Sequence, residues 1–184
     1  MKVIDTLKEK HLLYRITVHQ DAQAFGEIYD HYVDTIYRFV FFKVGNKTDA
    51  EDIVSEVFLK TWQYLQNSKN PIQNVRALLY TISRNKVVDL YRSRSQEKFE
   101  PIEFAENLVT QKNLSEELDL QDEVQKLVRD IRLLKQEYQE VLLLRFVEEL
   151  SLKEVAKVIG KKQTNVRVMI HRAIKKLEQV RDQR

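Results

Sequence analysis

Eight side chains near the C-terminus have types and spacing suited to work on nucleic acid: Gln163, Thr164, Asn165, Arg167, Val168, His171, Arg172 and Lys175. At about 100° per residue, Thr164, Arg167, Val168, His171, Arg172 and Lys175 spread over one side of a helix, opposite Val166, Met169, Ile170, Ala173 and Leu177. Lys and Arg attract phosphates, and side chains near a helix N-terminus can reach base edges. Other chemistry is poorly served. Glu137 with Glu140, and Asp49 with Asp52, have a spacing that could hold Mg²⁺, but charged pairs so spaced are usually exposed helix faces. His11, His19, His31 and His171 are scattered, without paired metal-ligand spacing. No Gly-rich phosphate loop or nucleophile motif occurs. The expectation is a binding protein, not an enzyme, with no catalytic residue, metal or cofactor.

The elements that would hold this cationic face follow from local signals. Ser151 and Glu154 have capping-box spacing and open a helix over residues 152–159, with Leu152, Val155, Ala156 and Ile159 on one side. Gly160 is suited to the left-handed residue that ends a helix. A basic helix follows at once, which makes a helix-turn-helix whose second helix suits a major groove. The stretch 135–150, "KQEYQEVLLLRFVEEL", reads as one further helix that completes the small core.

Upstream, residues 24–44 carry Phe25, Ile28, Tyr29, Tyr32, Ile36, Phe39 and Val40 at helical spacing. Thr48 with Glu51 fits another capping box, opening a helix over 49–65. The loop "QNSKNPIQN" separates it from a helix over 75–94, which Asn74 can cap and whose buried side holds Leu78, Leu79 and Ile82. Residues 95–119 contain Pro101, lack sustained periodicity and are acidic, which reads as a linker.

Composition agrees with an all-helical chain. The 184 residues include only 3 Gly and 2 Pro, too few for a turn-rich sheet protein. With no Cys there is no disulfide or thiolate chemistry, as expected in a reducing cytoplasm. The charged N-terminus has no signal-peptide core. No apolar run is longer than the four residues at 39–42, far too short to span a bilayer. The net charge of +3 hides a basic end after residue 160 and an acidic stretch over 97–123.

Three blocks carry a family resemblance. "EYQEVLLLRFVEELSLKEVAKVIGKKQTNVRVMIHRAIKKL" resembles domain 4 of extracytoplasmic-function (ECF) sigma factors of bacterial RNA polymerase, in the sigma-70-like family. "DAEDIVSEVFLKTW" resembles the domain 2 helix that docks on core polymerase, and "NVRALLYTISRNKVVDLYRSR" the helix that reads the −10 promoter element. The resemblance spans residues 21–177 and implies an all-α chain of two small helical domains joined by an acidic linker, the C-terminal one with a helix-turn-helix. The implied organisation is an N-terminal extension (1–20), domain 2 (21–94), the linker (95–119) and domain 4 (120–184). It implies a transcription initiation factor that binds core RNA polymerase, directs it to specific promoters and assists −10 melting in the cytoplasm. The recognition helix, Gln163 to Lys175, would read the −35 element. Asn67, Ser68, Lys69, Asn70, Arg84, Asn85, Lys86, Asp89 and Arg92 would serve the −10 element, where Asp89 could instead orient Arg92. Asp49, Asp52, Ile53, Ser55, Glu56, Leu59 and Trp62 would contact the polymerase clamp region, and domain 4 the flap. An anti-sigma factor that masks both domains is a further partner such proteins can have. No membrane insertion is expected.

Some positions depart from the family pattern. Ser55 stands where Gln is common, Leu78 where Trp is, and Glu149 where Gly is. Lys135–Gln136 replaces a frequent Pro pair, and Lys161–Lys162 a more apolar, capped turn. The competing reading is a stand-alone helix-turn-helix regulator with an N-terminal helical effector domain. It accounts for the C-terminal third and leaves the domain 2 blocks unexplained.

Overall fold

The computed structural model describes residues 6–68, 72, 74–96 and 117–182, and every regular element among them is helical. Helix α1 (Thr6–His19) turns within two residues into α2 (Ala22–Val44). Gln20 takes a left-handed φ of 51° at the corner. Asp21 then caps α2, its carboxylate accepting hydrogen bonds from the Gln23 and Ala24 N–H groups at 2.9 and 3.0 Å. Arg15 of α1 donates to the same carboxylate at 2.9 Å. The Ala24 N–H first, and Arg15 next, hold the Asp21 carboxyl below its ordinary range.

Gly45 ends α2 with φ 68°, its N–H donating to the Phe41 carbonyl at 2.8 Å. Asn46 caps α3 (Lys47–Asn67), accepting from the Asp49 N–H at 3.2 Å. This replaces the expected Thr48–Glu51 box. Asn46 has the extended backbone a cap requires, whereas Thr48 already lies in the first turn. Helix α4 (Val75–Gln96) is capped as expected by Asn74, which accepts from the Ala77 N–H at 2.7 Å. Glu9 of α1 reaches the same end. One carboxylate oxygen accepts from the Val75 N–H at 3.2 Å, and the other from the Tyr32 hydroxyl at 3.0 Å.

These helices form one compact unit, Met1–Phe104. Its core includes Ile16, Ile28, Ile36, Phe39, Val57, Leu65, Leu79 and Tyr80. Leu12, Leu13 and Ile16 of α1 are buried in it, each such side chain being worth about 1.5–3 kcal/mol. The stretch read as an N-terminal extension therefore supplies part of the core. On α4 the buried side is Val75, Ala77, Leu79, Tyr80, Ser83 and Val87, while Leu78 and Ile82 are only half-buried. Phe25 is half-buried and Tyr29 exposed, so the apolar stripe of α2 is wider than its core contact.

The second unit is Ala105–Arg184. It holds α5 (Glu117–Arg132), α6 (Gln136–Leu142), α7 (Leu152–Ile159) and α8 (Gln163–Asp182). The single helix expected over 135–150 is not continuous. After Leu142 the chain widens into a π-helical turn, Leu143–Val147. The Glu148 N–H donates to the Leu143 carbonyl and the Leu150 N–H to the Leu144 carbonyl, both at 2.9 Å. Glu149 then takes a left-handed φ of 53°. Three acids are buried here, Asp130, Glu140 and Glu148, and each has an interaction partner within the protein. Glu140 is thus no exposed member of a metal pair. The acidic linker expected over 95–119 falls, from 97 to 116, outside the described residues. Among the described residues no helix is long and apolar enough to cross a membrane.

Candidate nucleic-acid interface

The second unit presents α8 through two local devices. Ser151 accepts from the Glu154 N–H at 3.3 Å while Glu154 accepts from the Ser151 N–H at 2.8 Å, so the capping box opens α7 as expected. Gly160 closes α7 at φ 66°, and the Lys161 N–H donates to the Ala156 carbonyl at 3.0 Å. Two residues later α8 begins. Val166, Ile170 and Ala173 are buried, with Met169 and Leu177 partly so. On the opposite side Gln163, Thr164, Asn165, Arg167, Val168, His171, Arg172 and Lys175 are all exposed. The structure therefore brings together every residue expected of the recognition helix. Gln163, Thr164 and Asn165 sit at the helix N-terminus, where free N–H groups and the helix dipole favour an anion. The arginines and Lys175 extend that positive surface along about three turns.

The first unit divides its expected sites over α3 and α4. On α4, Asn85, Asp89 and Arg92 are exposed at i, i+4 and i+7, which puts them on one side. Arg84 is half-buried. Arg92 lies 4.0 Å from Asp89, both side chains well exposed, so Asp89 holds it only loosely. Asn67 donates to the Gln63 carbonyl at 2.8 Å at the end of α3. Ser68 follows it half-buried, and Lys69 and Asn70 lie outside the described residues.

On α3, Asp52, Ser55, Glu56 and Leu59 form an exposed stripe at i, i+3, i+4 and i+7. Ile53 is withdrawn into the core and Trp62 is half-buried. Beside the stripe lies an open apolar groove of about 220 Å³ lined by Ala22, Phe25, Phe58, Leu59 and Trp62. Phe25 stands between Trp62 and Phe58, with ring centroids 5.0 and 6.4 Å away. Helical spacing alone assigns Phe25 to the core, because a groove-lining position has the same period as a buried one.

Two expected polymerase contacts are already engaged. Asp49 receives both hydrogen bonds of an ion pair from Arg94 Nη2 at 2.7 Å, with side-chain exposures of 16% and 23%. Glu56 is paired with Lys86, one of the expected −10 residues. Tyr91 adds a third tie, its hydroxyl donating to the Lys43 carbonyl. These contacts join residues 30, 45 and 48 positions apart, and no local pattern announces them. Among the described residues, no group of three or more His, Asp or Glu side chains is placed to hold a metal ion.

Comparison with known proteins matches both units. Residues 28–97 match the family "Sigma-70 region 2", and residues 125–177 match "Sigma-70, region 4". The ECF RNA polymerase sigma factor BldN of Streptomyces coelicolor is 34% identical over 160 residues, which cover 85% of this chain and 60% of that protein. The ECF RNA polymerase sigma factor SigW of Bacillus subtilis is 28% identical over 172 residues, covering 88% of this chain and 91% of that one. The chain thus spans three-fifths of the first relative's length and nine-tenths of the second's. The structure of CnrH in complex with the cytosolic domain of CnrY has the same fold. Its TM-score is 0.71 at 22% identity, covering 95% of this chain and 97% of that one.

Proposed function

Because this chain belongs to the extracytoplasmic-function group of the sigma-70 family, we propose that it is a transcription initiation factor that brings core RNA polymerase to specific promoters. It has no catalytic activity of its own and acts in the cytoplasm, where the polymerase works. The observation that carries this reading is the exposed side of α8, turned outward by the Ser151 box and the Gly160 turn. It presents three cations and an amide-rich N-terminus, a set suited to phosphates and base edges of the −35 major groove. The clustering of Asn85, Asp89 and Arg92 supports a second contact, to the −10 strand, with Arg84 and Lys86 at its margins. A strand separated for initiation has unstacked bases and a phosphate backbone, and a polar, cationic helix face can hold both. The stripe Asp52, Ser55, Glu56 and Leu59 fits a basic, partly apolar polymerase surface, with Trp62 and the aromatic groove beside it. The domain limits follow the same reading, with domain 2 over 21–94 and α1 packed into its core, the linker over 95–119 and domain 4 over 120–184. The relatives of known structure include complexes with CnrY and with the anti-sigma factor NepR, which supports an anti-sigma factor as a partner here.

Runoff transcription tests the proposal. Core polymerase and the chain together should give a promoter-specific transcript that neither gives alone. A chain that binds duplex promoter DNA by itself, yet yields no transcript with core polymerase, would establish the stand-alone regulator instead.

A further inference from the structure

The pairing of Glu56 with Lys86 connects two surfaces that the proposed function keeps apart. Glu56 belongs to the exposed stripe of α3 and Lys86 to the cationic helix α4. We propose that this pair is an autoinhibitory contact: Glu56 occupies Lys86 in the free protein, and docking of α3 on a basic surface draws Glu56 away and frees Lys86 for a DNA phosphate. The inference rests on the docking and −10 readings of α3 and α4 given above.

Three observations favour exchange over a fixed brace. The Glu56 side chain is 54% exposed and Lys86 19%, so the carboxylate stands at the rim where a second cation can approach. The neighbouring Asp49 side chain is much more enclosed than Glu56, at 16%, and its pair with Arg94 already ties α3 to α4. Fixing the two helices therefore does not require the Glu56 pair. An ion pair whose carboxylate is more than half exposed is also weak, worth about 1 kcal/mol, which is about a fivefold effect on a coupled equilibrium. A contact that weak lowers DNA affinity in the free protein and yields to a better-placed partner.

The test measures binding of the full chain to a single-stranded oligonucleotide at several salt concentrations, without polymerase. Glu56→Gln should bind about fivefold more tightly at low salt. Its log–log salt slope should steepen by about 0.7, the value for one added phosphate contact on a single strand. Adding Lys86→Gln should abolish the gain. Glu51→Gln removes the same charge elsewhere on α3, where Glu51 lies 3.7 Å from Lys47, and should change affinity less than twofold. An unchanged Glu56→Gln affinity, or an equal gain from Glu51→Gln, would overturn the inference. A second arm uses the reconstituted holoenzyme and a −10 strand oligonucleotide. Lys86→Gln should weaken its binding and flatten its salt slope, and an unaffected holoenzyme would also overturn the inference. Failure of the wild-type chain to form a holoenzyme would instead count against the proposed function, and the free-chain arm would still decide whether Glu56 masks Lys86.

Discussion

Glu149 offers a test of the fold that is independent of function. Its φ of 53° is left-handed, a conformation that costs an L-residue about 1–2 kcal/mol. The side chain is exposed, so its removal forfeits little packing. Glu149→Gly should relieve the backbone cost and add back about 0.5–1 kcal/mol through the greater freedom of glycine in the unfolded chain. The balance is a net gain of ~0.5 kcal/mol, or about 2–4 °C in Tm for a domain of this size. Gly160 supplies the converse case. Its φ is +66° and a Cβ there would meet nothing within 4 Å, so Gly160→Ala incurs the backbone cost of about 1–2 kcal/mol, offset by about 0.5–1 kcal/mol from the lost freedom of glycine in the unfolded chain, a net loss of ~0.5 kcal/mol. The assay uses the chain's one tryptophan, Trp62, which lies in the first unit. Thermal unfolding followed by far-UV circular dichroism reports both units, whereas tryptophan fluorescence reports the first. Glu149→Gly should raise, and Gly160→Ala lower, a dichroism transition whose fluorescence counterpart stays fixed. A Glu149→Gly transition that stays put or falls would refute the reasoning.

Arg167→Ala and Arg172→Ala should each weaken −35-dependent transcription, by about 1–3 kcal/mol with relaxed specificity at one position for a base contact, or uniformly across sequences for a phosphate contact. Output from a panel of −35 variants separates the two cases, and normal output from both mutants would remove α8 from recognition. Ser151→Ala should cost the second unit about 0.5–2 kcal/mol, measured by urea unfolding, because the Glu154 N–H loses its acceptor and the Glu154 carboxylate loses the Ser151 hydroxyl, while the Ser151 N–H bond remains. Asp21 predicts an acid dependence. Its folded carboxyl lies below 3.8, so its contribution is fully present above that pH and is lost as pH falls through the depressed value. The stability gap between wild type and Asp21→Ala should therefore narrow only in that acid range. A gap that is constant across it would contradict the assigned ionised cap.

Features set by neighbours along the chain are legible in the sequence. Ser151 with Glu154, Gly160 and the two sides of α8 each depend on residues within a turn or two of one another. Locality also explains the misplaced start of α3. Asn46 and Thr48 both carry cap chemistry two residues apart, and only the extended backbone at Asn46 decides between them. Burial of acids is not legible in this way, because Glu140 and Glu148 look like surface residues in the sequence and only the packed structure buries them. The same holds for Glu9, which reaches the start of α4 across 66 residues, and for Lys86 with Glu56. Sequence pattern alone underestimates helix α1. Its charges run all round a short apolar stripe, and Leu12, Leu13 and Ile16 show their role only against α2 and α3.

The π turn at Leu143–Val147 bears on how this region tolerates changes in chain length. A wide turn holds one residue more than an α-turn while keeping its hydrogen bond, so the segment behaves like a helix with an insertion already absorbed. Deleting one residue there would restore an ordinary helical repeat with the following chain still in phase, whereas inserting a further residue would exceed what one wide turn absorbs and rotate everything that follows by about 100°. Leu150, fully buried and accepting a 2.8 Å bond from Arg145 at its carbonyl, would leave its seat, and the Ser151 cap would move with it. Lengthening is therefore tightly constrained between residues 143 and 151, although the side chains at Phe146 and Val147 are exposed and free to vary in type. In this part of the chain, helical phase is constrained more tightly than residue identity.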